Sequence, residues 1–285
     1  TKYASQQPFI HLQSAFQRFF NKQARYPRFK KRGIHDSFYV GGDQVEVQGK
    51  RVRIPKLGWV RMRESLRFSG KIHSATVSRK ADHWYVSLSV ELSEMPKPCE
   101  SQEGVGVDLG INRLATLSNG ETFEGPKPMK NKLKKLQRRS RQLSRKKQGS
   151  KNRQKARLKL ARLHLRIRNI RQAAVHKLTS YLTTSFDLTV IEDLNVKGMV
   201  RNRRLSRAIH DMGFHEFRRQ LRYKSTLRGC NDVALDRWFP SSKMCSRCNV
   251  IHEALSLGER TFRCEACGQV LDRDLNAAHN IARVI

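Results

Sequence analysis

Four cysteines near the C-terminus have the spacing of a metal site. Cys245, Cys248, Cys264 and Cys267 follow the pattern C-x2-C-x15-C-x2-C, and Gly268 follows the last pair. Each C-x-x-C turn lets two thiolates face one tetrahedral ion, and zinc is the ion that such a set favours. Four protein ligands leave no open position for water, so the spacing predicts one structural Zn²⁺ without a catalytic role.

Acidic residues beside apolar segments suggest a second, different metal site. Asp108 ends the run GVGVD, Glu192 and Asp193 end LTVIED, and Asp272 and Asp274 precede the last helical pattern. Singly, they are explained as turn acids or, for Asp274, as a helix N-cap. Brought together by one α/β sheet, they would bind two divalent ions for phosphodiester hydrolysis.

The residue pattern excludes some of these acids from the metal site but not all of the alternatives. Neighbouring residues of a strand face opposite sides of the sheet, so only one of Glu192 and Asp193 can join the site. Asp272 and Asp274 cannot be separated in this way, because the residues before a helix need not be extended. The sequence alone leaves that second choice open.

The overall charge points to a polyanionic partner. The chain has 58 Lys and Arg against 24 Asp and Glu, a formal net charge of +34 over 285 residues. Such a chain repels itself unless an anion neutralises it, which favours nucleic acid over the alternative of an anionic membrane surface. No apolar run approaches the ~20 residues of a spanning helix, and no signal peptide is visible, so a cytoplasmic location is expected.

The expected cytoplasmic location also indicates the state of the cysteine thiols. A cytoplasmic chain is expected to keep its thiols reduced. Cys99 and Cys230 lack partners at metal-ligand spacing and are predicted to be small buried residues.

The chain begins with Thr1, and an apolar helical pattern starts almost at once, which indicates a truncated N-terminus.

Residues 127–171 form the most basic segment. They include 20 Lys or Arg and no acid. Apolar residues from Leu163 to Leu182 recur every three to four positions, and Gly149-Ser150 interrupts the pattern, which predicts a helical hairpin. A charged run is often just a solvated face, but like charges of one sign destabilise a helix, so an anionic partner is the better explanation. The predicted nucleic-acid contacts are Lys134, Lys135, Arg138, Arg139, Arg141, Arg145, Arg153 and Arg157.

The rest of the chain predicts an α/β protein that follows a β-rich segment. Residues 9–22 show the pattern of one amphipathic helix, whose apolar stripe is interpreted as a core face. Short alternating runs from residue 36 to about 94 predict a small antiparallel sheet or barrel. From Gly104 onward strands and helices mix, with VKGMVRNRRLSR interpreted as a basic loop.

The ordered motifs resemble those of a known family. GVDLGINRLATLSNGE, VIEDLNVKGM, WFPSSKMCSRC…CEACG and LDRDLNAAHNIAR are similar to TnpB, the insertion-sequence-encoded nuclease family related to type V CRISPR effectors. RYPRFKKRG and IPKLGWVRMR extend the resemblance over nearly the whole chain. Members of that family usually have further N-terminal sequence, including most of a helical recognition region, before the segment that corresponds to LQSAFQRFFN.

This resemblance implies a fold and an organisation into segments. The fold would be an α/β RNase H-like (RuvC) nuclease domain with an inserted basic helical hairpin and a zinc ribbon, preceded by a small wedge β-barrel of the oligonucleotide-binding type. The implied segments are 1–33 (helical remnant of the recognition region), 34–100 (wedge barrel), 101–126 (first RuvC segment), 127–186 (basic hairpin), 187–240 (second RuvC segment), 241–270 (zinc ribbon) and 271–285 (third RuvC segment).

The resemblance also implies a site and an activity. The family's catalytic acids fall on Asp108, Glu192 and Asp274, which would hold two Mg²⁺ ions. The implied function is RNA-guided cleavage of double-stranded DNA beside a short adjacent motif, with a guide RNA from the transposon end and association with the nucleoid when bound to DNA. Two other functions remain open: a relative that binds DNA under RNA guidance without cutting, and a guide-free transposase or resolvase of the RNase H class.

Overall fold

The computed structural model describes residues 2–29, 33, 36–92, 94–99, 101–252 and 258–283. The chain divides into two compact units, Thr1–Met95 and Pro96–Ile285. Residues 34 and 100, where the predicted wedge barrel begins and ends, lie outside the described residues. So do residues 1 and 285 and residues 30–32 of the RYPRFKKRG motif.

The first unit is mainly β-sheet. Its described elements are α1 (Lys2–Phe20), β1 (Ser37–Gly41), β2 (Glu46–Gln48), β3 (Arg51–Ile54), β4 (Gly58–Arg61), β5 (Gly70–Lys80) and β6 (His83–Leu92). The described pairings give two antiparallel sheets, ordered β1-β5-β6 and β2-β3-β4. One cluster of buried residues, including Val40, Val52 and Ala75, joins them. The predicted antiparallel β-structure is confirmed, whereas an oligonucleotide-binding-type barrel stays a prediction.

Helix α1 differs from the sequence prediction. It begins at Lys2, seven residues before the predicted start, and continues through Pro8. Its apolar stripe is not a core face, because Phe9 is 73% exposed and Leu12 and Phe20 are exposed as well. The rings of Phe16 and Phe19 instead contact Tyr26. Periodicity predicted the helix correctly but could not show which surface the stripe would find.

The second unit is built on a mixed sheet. Its strands are β7 (Gly104–Asp108), β8 (Arg113–Leu117), β9 (Thr122–Glu124), β10 (Leu188–Glu192) and β11 (Asn231–Leu235), in the order β11-β10-β7-β8-β9. Strand β10 runs parallel to both β7 and β11, while β8 and β9 are antiparallel. Buried residues of β7, β8 and β10, such as Val107, Leu117 and Ile191, form the main core. The predicted α/β unit is therefore confirmed.

The basic segment forms the predicted helical hairpin. Its helices are α2 (Pro128–Ser144) and α3 (Lys151–Ser185). Ser150 caps α3 by accepting a hydrogen bond from the Arg153 amide, and Gly149 has a φ of +82°. The N-terminus of α2 is capped from elsewhere, because the buried carboxylate of Asp211 accepts hydrogen bonds from the amides of Met129 and Lys130, both at 2.9 Å.

The two ends of α3 have different surroundings. Leu163 and Ile167 pack with Leu136 of α2 in a small cluster of their own. Val175 and Leu182 instead belong to the main core under the sheet. The long helix therefore connects the basic hairpin rigidly to the sheet, and the implied boundary at residue 186 does not coincide with a change in packing.

Two short helices, α4 (Val196–Arg201) and α5 (Ser206–Met212), lie where the sequence predicted a loop, so the loop interpretation of VKGMVRNRRLSR is wrong. Helix α6 (Phe214–Arg228) follows them. Asn195 caps α4 by accepting a hydrogen bond from the Gly198 amide, while Met199 packs on the main core. The many basic residues hid the helical pattern in the sequence. Short helices also depend on tertiary packing more than on helix propensity.

The C-terminal region consists of β12 (Thr261–Arg263), β13 (Val270–Asp272) and α7 (Arg273–Ala282). Strands β12 and β13 pair as an antiparallel hairpin around the second C-x-x-C pair. Cys99 and Cys230 are half-buried, so the prediction that they are buried is wrong. Within the described residues, no helix is both long and apolar enough to cross a membrane.

Candidate active site and zinc centre

The four predicted zinc ligands lie together. Among the described residues they are the one set of three or more potential ligand side chains whose ligand atoms all lie within 4.8 Å of one another. Cys245 Sγ and Cys267 Sγ are 3.6 Å apart, and Cys248 Sγ and Cys264 Sγ are 3.5 Å apart. Four sulfurs at tetrahedral angles around a zinc ion, each at ~2.3 Å, would be about 3.8 Å apart. The cluster therefore fits one zinc ion.

Two similar turns hold these thiols. The Asn249 and Gly268 amides donate to the carbonyls of Cys245 and Cys264, at 3.0 and 2.9 Å. Asn249 and Gly268, each directly after a second cysteine, have φ values of +66° and +72°. Glycine and asparagine are the residues that adopt this left-handed conformation most readily. The Gly268 that accompanies the sequence motif thus has a conformational role.

His252 is a neighbour of the zinc centre that the sequence prediction missed. Its Nε2 lies 3.3 Å from Cys264 Sγ, and its ring meets that of buried Phe262 edge-on at 5.3 Å. It can therefore hold Cys264 in position from outside the set of four ligands. Because His252 lies outside both C-x-x-C pairs, the spacing of the cysteines gave no indication of its role.

The two strand-end acids are brought side by side by the sheet. Val107 pairs with Ile191 in the parallel ladder, so Asp108 and Glu192 both follow at the carboxyl ends of adjacent strands. Parallel strands deliver their carboxyl ends to one edge, where α/β sheets usually place their ligands. Both acids were predicted to meet here.

Asp274 is delivered by helix α7, which lies directly on β7. A Cβ added at Gly106 would lie 2.3 Å from the Ala278 carbonyl oxygen and 2.5 Å from the Ala282 amide nitrogen. Only glycine allows the helix to approach the strand so closely. Asp274 lies in the first turn of this helix, with a side chain 18% exposed.

The electrostatics of the acids reflect their proximity. Burial is the largest cause that raises the pKa of Asp108, to about 8, and the charges of Glu192 and Asp274 raise it further. Burial also raises the pKa of Glu192, although a hydrogen bond from the Ser241 hydroxyl opposes this. The three carboxylates do not form a ligand set as tight as that of the cysteines within the described residues. A divalent cation would offset the repulsion among them.

The structure separates Asp272 from Asp274. Asp272 is the N-cap of α7 and accepts hydrogen bonds from the amides of Asp274 and Leu275 at 2.9 and 3.2 Å. It also pairs with Arg113 at 3.2 Å. The N-cap interpretation of Asp274 is therefore wrong. The charge of Asp274 and, to a smaller extent, that of Asp272 both raise the pKa of Asp108. Arg260, which sequence reasoning did not single out, lies 3.7 Å from Asp274.

Glu192 and Asp193 have different partners. Glu192 accepts a hydrogen bond from Ser241, whereas Asp193 binds Arg218 and Arg237. The hydrogen bond from Arg237 lowers the pKa of Asp193 most, and the hydrogen bond from Arg218 lowers it further. Its role is to hold two arginines beside the acid cluster.

Two buried asparagines connect the zinc ribbon to α7. Asn276 accepts from the Ser246 amide at 2.9 Å and donates to the Met244 carbonyl at 2.8 Å. Asn280 donates to the carbonyls of Ser241 and Met244. These hydrogen bonds fix the ribbon to the helix that carries Asp274. The ribbon and this acid are therefore neighbours in the structure as well as in the sequence.

The predicted nucleic-acid residues of the hairpin are not equivalent. Six are exposed, whereas Arg139 and Arg153 are half-buried. Arg153 donates to the carbonyls of Leu143 and Lys146 at the end of α2, at 3.1 and 2.9 Å. Arg153 therefore stabilises the turn between the helices, while the other positions present charge to solvent. The exposed residues are Lys134, Lys135, Arg138, Arg141, Arg145 and Arg157.

Comparison with known proteins gives the class of this fold. A cryo-EM structure of a Cas12f1-sgRNA-target DNA complex contains a chain that matches with a TM-score of 0.58 at 15% identity, over 95% of this chain and 69% of that one. A family model described as "Cas12f1-like, TNB domain" matches residues 214–281. The mixed sheet and its helices thus have the fold of a RuvC-like nuclease.

Sequence comparison gives the family. A family model described as "Probable transposase" matches residues 87–203. The chain is 40% identical to "Putative RNA-guided DNA endonuclease InsQ" of Escherichia coli K12, over 97% of this chain and 72% of that protein. It is also 40% identical to a "Putative RNA-guided DNA endonuclease" of Streptomyces pristinaespiralis, over 97% and 69%. The chain belongs to the TnpB family, as its motifs predicted.

Proposed function

We propose that the chain is an RNA-guided DNA endonuclease that hydrolyses phosphodiester bonds at Asp108, Glu192 and Asp274. The observation that carries this proposal is the meeting of two strand-end acids and one helix-borne acid. Desolvation first, and then the charges of Glu192 and Asp274, raise the pKa of half-buried Asp108 to about 8. Such a site favours a bound cation. The names of the two relatives and the nucleic acids in the Cas12f1 complex support the guide and the target.

The three acids would hold two Mg²⁺ ions. Bound Mg²⁺ would activate the attacking water and stabilise the leaving oxygen of the phosphodiester. Ser241 orients Glu192 through its hydroxyl, and Asp272 holds the first turn of α7 so that Asp274 keeps its place. The zinc ribbon would have a structural role, because all four positions around its ion are thiolates.

The basic hairpin would contact the guide–target duplex. Its exposed lysines and arginines carry positive charge without nearby acids in the segment, a composition that suits recognition of a nucleic-acid backbone. In guided nucleases base pairing reads the sequence and the protein contributes backbone contacts and cleavage. The guide would derive from the transposon end, and the cut would fall beside a short adjacent motif.

The test is cleavage by the purified chain with its copurifying RNA. Sequencing that RNA is expected to give one discrete species, and a plasmid with the matching target should be cut in Mg²⁺ but not after chelation. Asp108→Ala should abolish cutting, a loss of at least ~10³-fold. Asp187→Asn is a matched control, since Asp187 directly precedes the opposite end of β10. Equal cutting by Asp108→Ala would overturn the site.

A second candidate is a guide-free transposase, which the "Probable transposase" description of the matching family favours. The same experiment separates the two. Cutting or joining that survives removal of RNA would establish the guide-free enzyme. Target binding without any cutting would instead establish a guided DNA-binding protein.

A further inference from the structure

Two thiols outside the zinc centre converge on the C-terminal end of helix α3. Cys99 Sγ donates to the Thr184 carbonyl at 3.3 Å, and Cys230 Sγ donates to the Thr183 carbonyl at 3.5 Å. Consecutive carbonyl oxygens of an α-helix are only about 3.5 Å apart. The fold therefore brings close together two cysteines that are far apart in the sequence and for which spacing gave no partner.

The two residues also act on each other directly. Burial is the largest cause that raises the pKa of Cys230, the Cys99 backbone amide opposes it, and the charge of the Cys99 thiolate raises it further. A backbone amide has this effect on a sulfur only at short range. Disulfides join residues whose Cα atoms are about 4.4–6.8 Å apart, a separation that such an amide–sulfur contact brings within reach.

The backbone near both cysteines is held by hydrogen bonds. Cys99 lies in the connector between β6 and β7, where the Lys97 carbonyl accepts a hydrogen bond from Arg228 at 3.2 Å. Arg228 is two residues before Cys230, whose own amide donates to the Ser225 carbonyl at 3.0 Å. The connector is thus already attached to the end of α6. A bond between the two sulfurs would require side-chain rotation and no rearrangement of the sheet.

The two thiols differ in access. The hydrogen bond of Cys99 lies at the surface, whereas that of Cys230 is partly buried. The raised pKa of Cys230 keeps this residue in the thiol form at neutral pH. Peroxides react with accessible thiolates, and a second cysteine nearby then resolves the product. This difference makes Cys99 the residue that an oxidant meets first and Cys230 its resolving partner.

We propose that Cys99 and Cys230 are a redox-active pair, which hydrogen peroxide converts into a disulfide and cellular thiols reduce again. The Cys99 thiolate would attack one peroxide oxygen and become a sulfenic acid, while the other oxygen leaves and is protonated to water. The Cys230 sulfur would then attack the Cys99 sulfur, which forms the S–S bond and releases a second water. One peroxide thus takes up two electrons and the two thiol protons.

The disulfide would lie far from the acid cluster. Cys230 directly precedes β11, which runs parallel to β10, and β10 has Glu192 at its other end. A strand of five residues spans about 15 Å, so the thiols and the acids are at opposite ends of the sheet. The bond would close the long loop from residue 99 to residue 230 and stabilise the second unit without touching the reacting groups.

The first test identifies the cysteines that become joined. Cys99 precedes the basic hairpin, and the other five cysteines follow it. A specific protease site inserted after Gly149 therefore cuts the chain into two fragments that only a bond from Cys99 can hold together. After peroxide treatment of the zinc-loaded chain and cutting, the fragments should migrate as one species and separate when dithiothreitol is added. Mass spectrometry should find Cys99 linked to Cys230.

The same experiment with Cys230→Ser gives the contrary outcomes. This change should abolish the link between the fragments. A link that persists would join Cys99 to one of the zinc-centre cysteines, and release of zinc before any link forms would make that centre the target of peroxide. Either result would overturn the proposal, as would fragments that separate without reductant in the parent chain.

The second test measures the stabilisation in the uncut chain. Peroxide should raise the thermal midpoint of the parent chain by about 10 °C, and dithiothreitol should reverse this shift. Cys99→Ser should show no shift, while its zinc content stays near one as in the parent chain. An equal peroxide-dependent shift in Cys99→Ser would contradict the role of this pair.

Discussion

The zinc centre and the acid cluster lie next to each other in the sequence but are built differently. The four cysteines come from one stretch of 23 residues and are positioned by two local turns. The three acids come from β7, β10 and α7, which are separated by up to 166 positions, 108 to 274. The cysteine cluster therefore depends on local geometry, whereas the acid cluster depends on the whole sheet being assembled.

The largest expected effect comes from breaking the local centre. Cys264→Ser, or chelation, should remove zinc and with it apparent binding free energy on the order of 10 kcal/mol, so that the ribbon unfolds and cleavage is lost. Bound zinc and thermal melting measure this. Cys230→Ser is the control, because this half-buried thiol lies outside the cluster. A Cys264→Ser protein with full zinc content and unchanged melting would contradict the assignment.

The next effect concerns the long-range assembly. Gly106→Ala should push α7 away from β7, because the added methyl would lie 2.3 Å from a backbone oxygen, and should destabilise the fold by about 3 kcal/mol. Cleavage should fall while zinc content stays near one.

Gly125→Ala gives the matched comparison for that change. Its added methyl would meet the flexible side chain of Met212, so a smaller loss is expected. Denaturant unfolding of both variants measures the difference. Equal stability of Gly106→Ala and the parent chain would show that the close helix–strand approach is not needed.

A pH effect is expected from the acids alone. Because the pKa of Asp108 in the folded chain is about 8 against an ordinary 3.8, the unfolded chain releases this proton first as pH rises. Stability without Mg²⁺ should therefore fall between about pH 4 and pH 8. In the Asp108→Asn protein the fall in the free energy of unfolding over this pH range should be smaller by about 2 kcal/mol. This is within the limit set by 1.36 kcal/mol for each unit of pKa change.

Unfolding at pH 5 and pH 8 measures this effect. Addition of Mg²⁺ at pH 8 should stabilise the parent chain more than Asp108→Asn, because the cation neutralises the charged cluster. The same pH dependence in both proteins would contradict the raised pKa.

The smallest effect separates two neighbouring acids of α7. Asp272→Ala should cost about 1 kcal/mol through loss of the N-cap and should reduce cleavage only modestly. Asp274→Asn should leave stability nearly unchanged or raise it, yet abolish cleavage. Melting and cleavage of the pair measure the contrast, and a reversed pattern would assign the catalytic position to Asp272.

The outcomes of the sequence predictions follow the same division. The cysteine spacing, the hairpin break at Gly149-Ser150 and the strand ends at Asp108 and Glu192 were predictable, because each depends on residues close in the chain. The surface found by the α1 stripe was predicted wrongly, and the short helices α4 and α5 were wrongly predicted as a loop. Both depend on which distant residues supply the packing partner.

The sequence by itself determined the four clustered cysteines, the order of the strands along the chain and the family, since short-range spacing and turn conformation are properties of local residues. Only the tertiary structure decided that Asp272 caps α7 and thereby frees Asp274, that Ser241 orients Glu192, and that Asn276 and Asn280 join the ribbon to the helix. Those contacts join residues that become neighbours only when α7 lies on β7, at an approach that Gly106 alone allows.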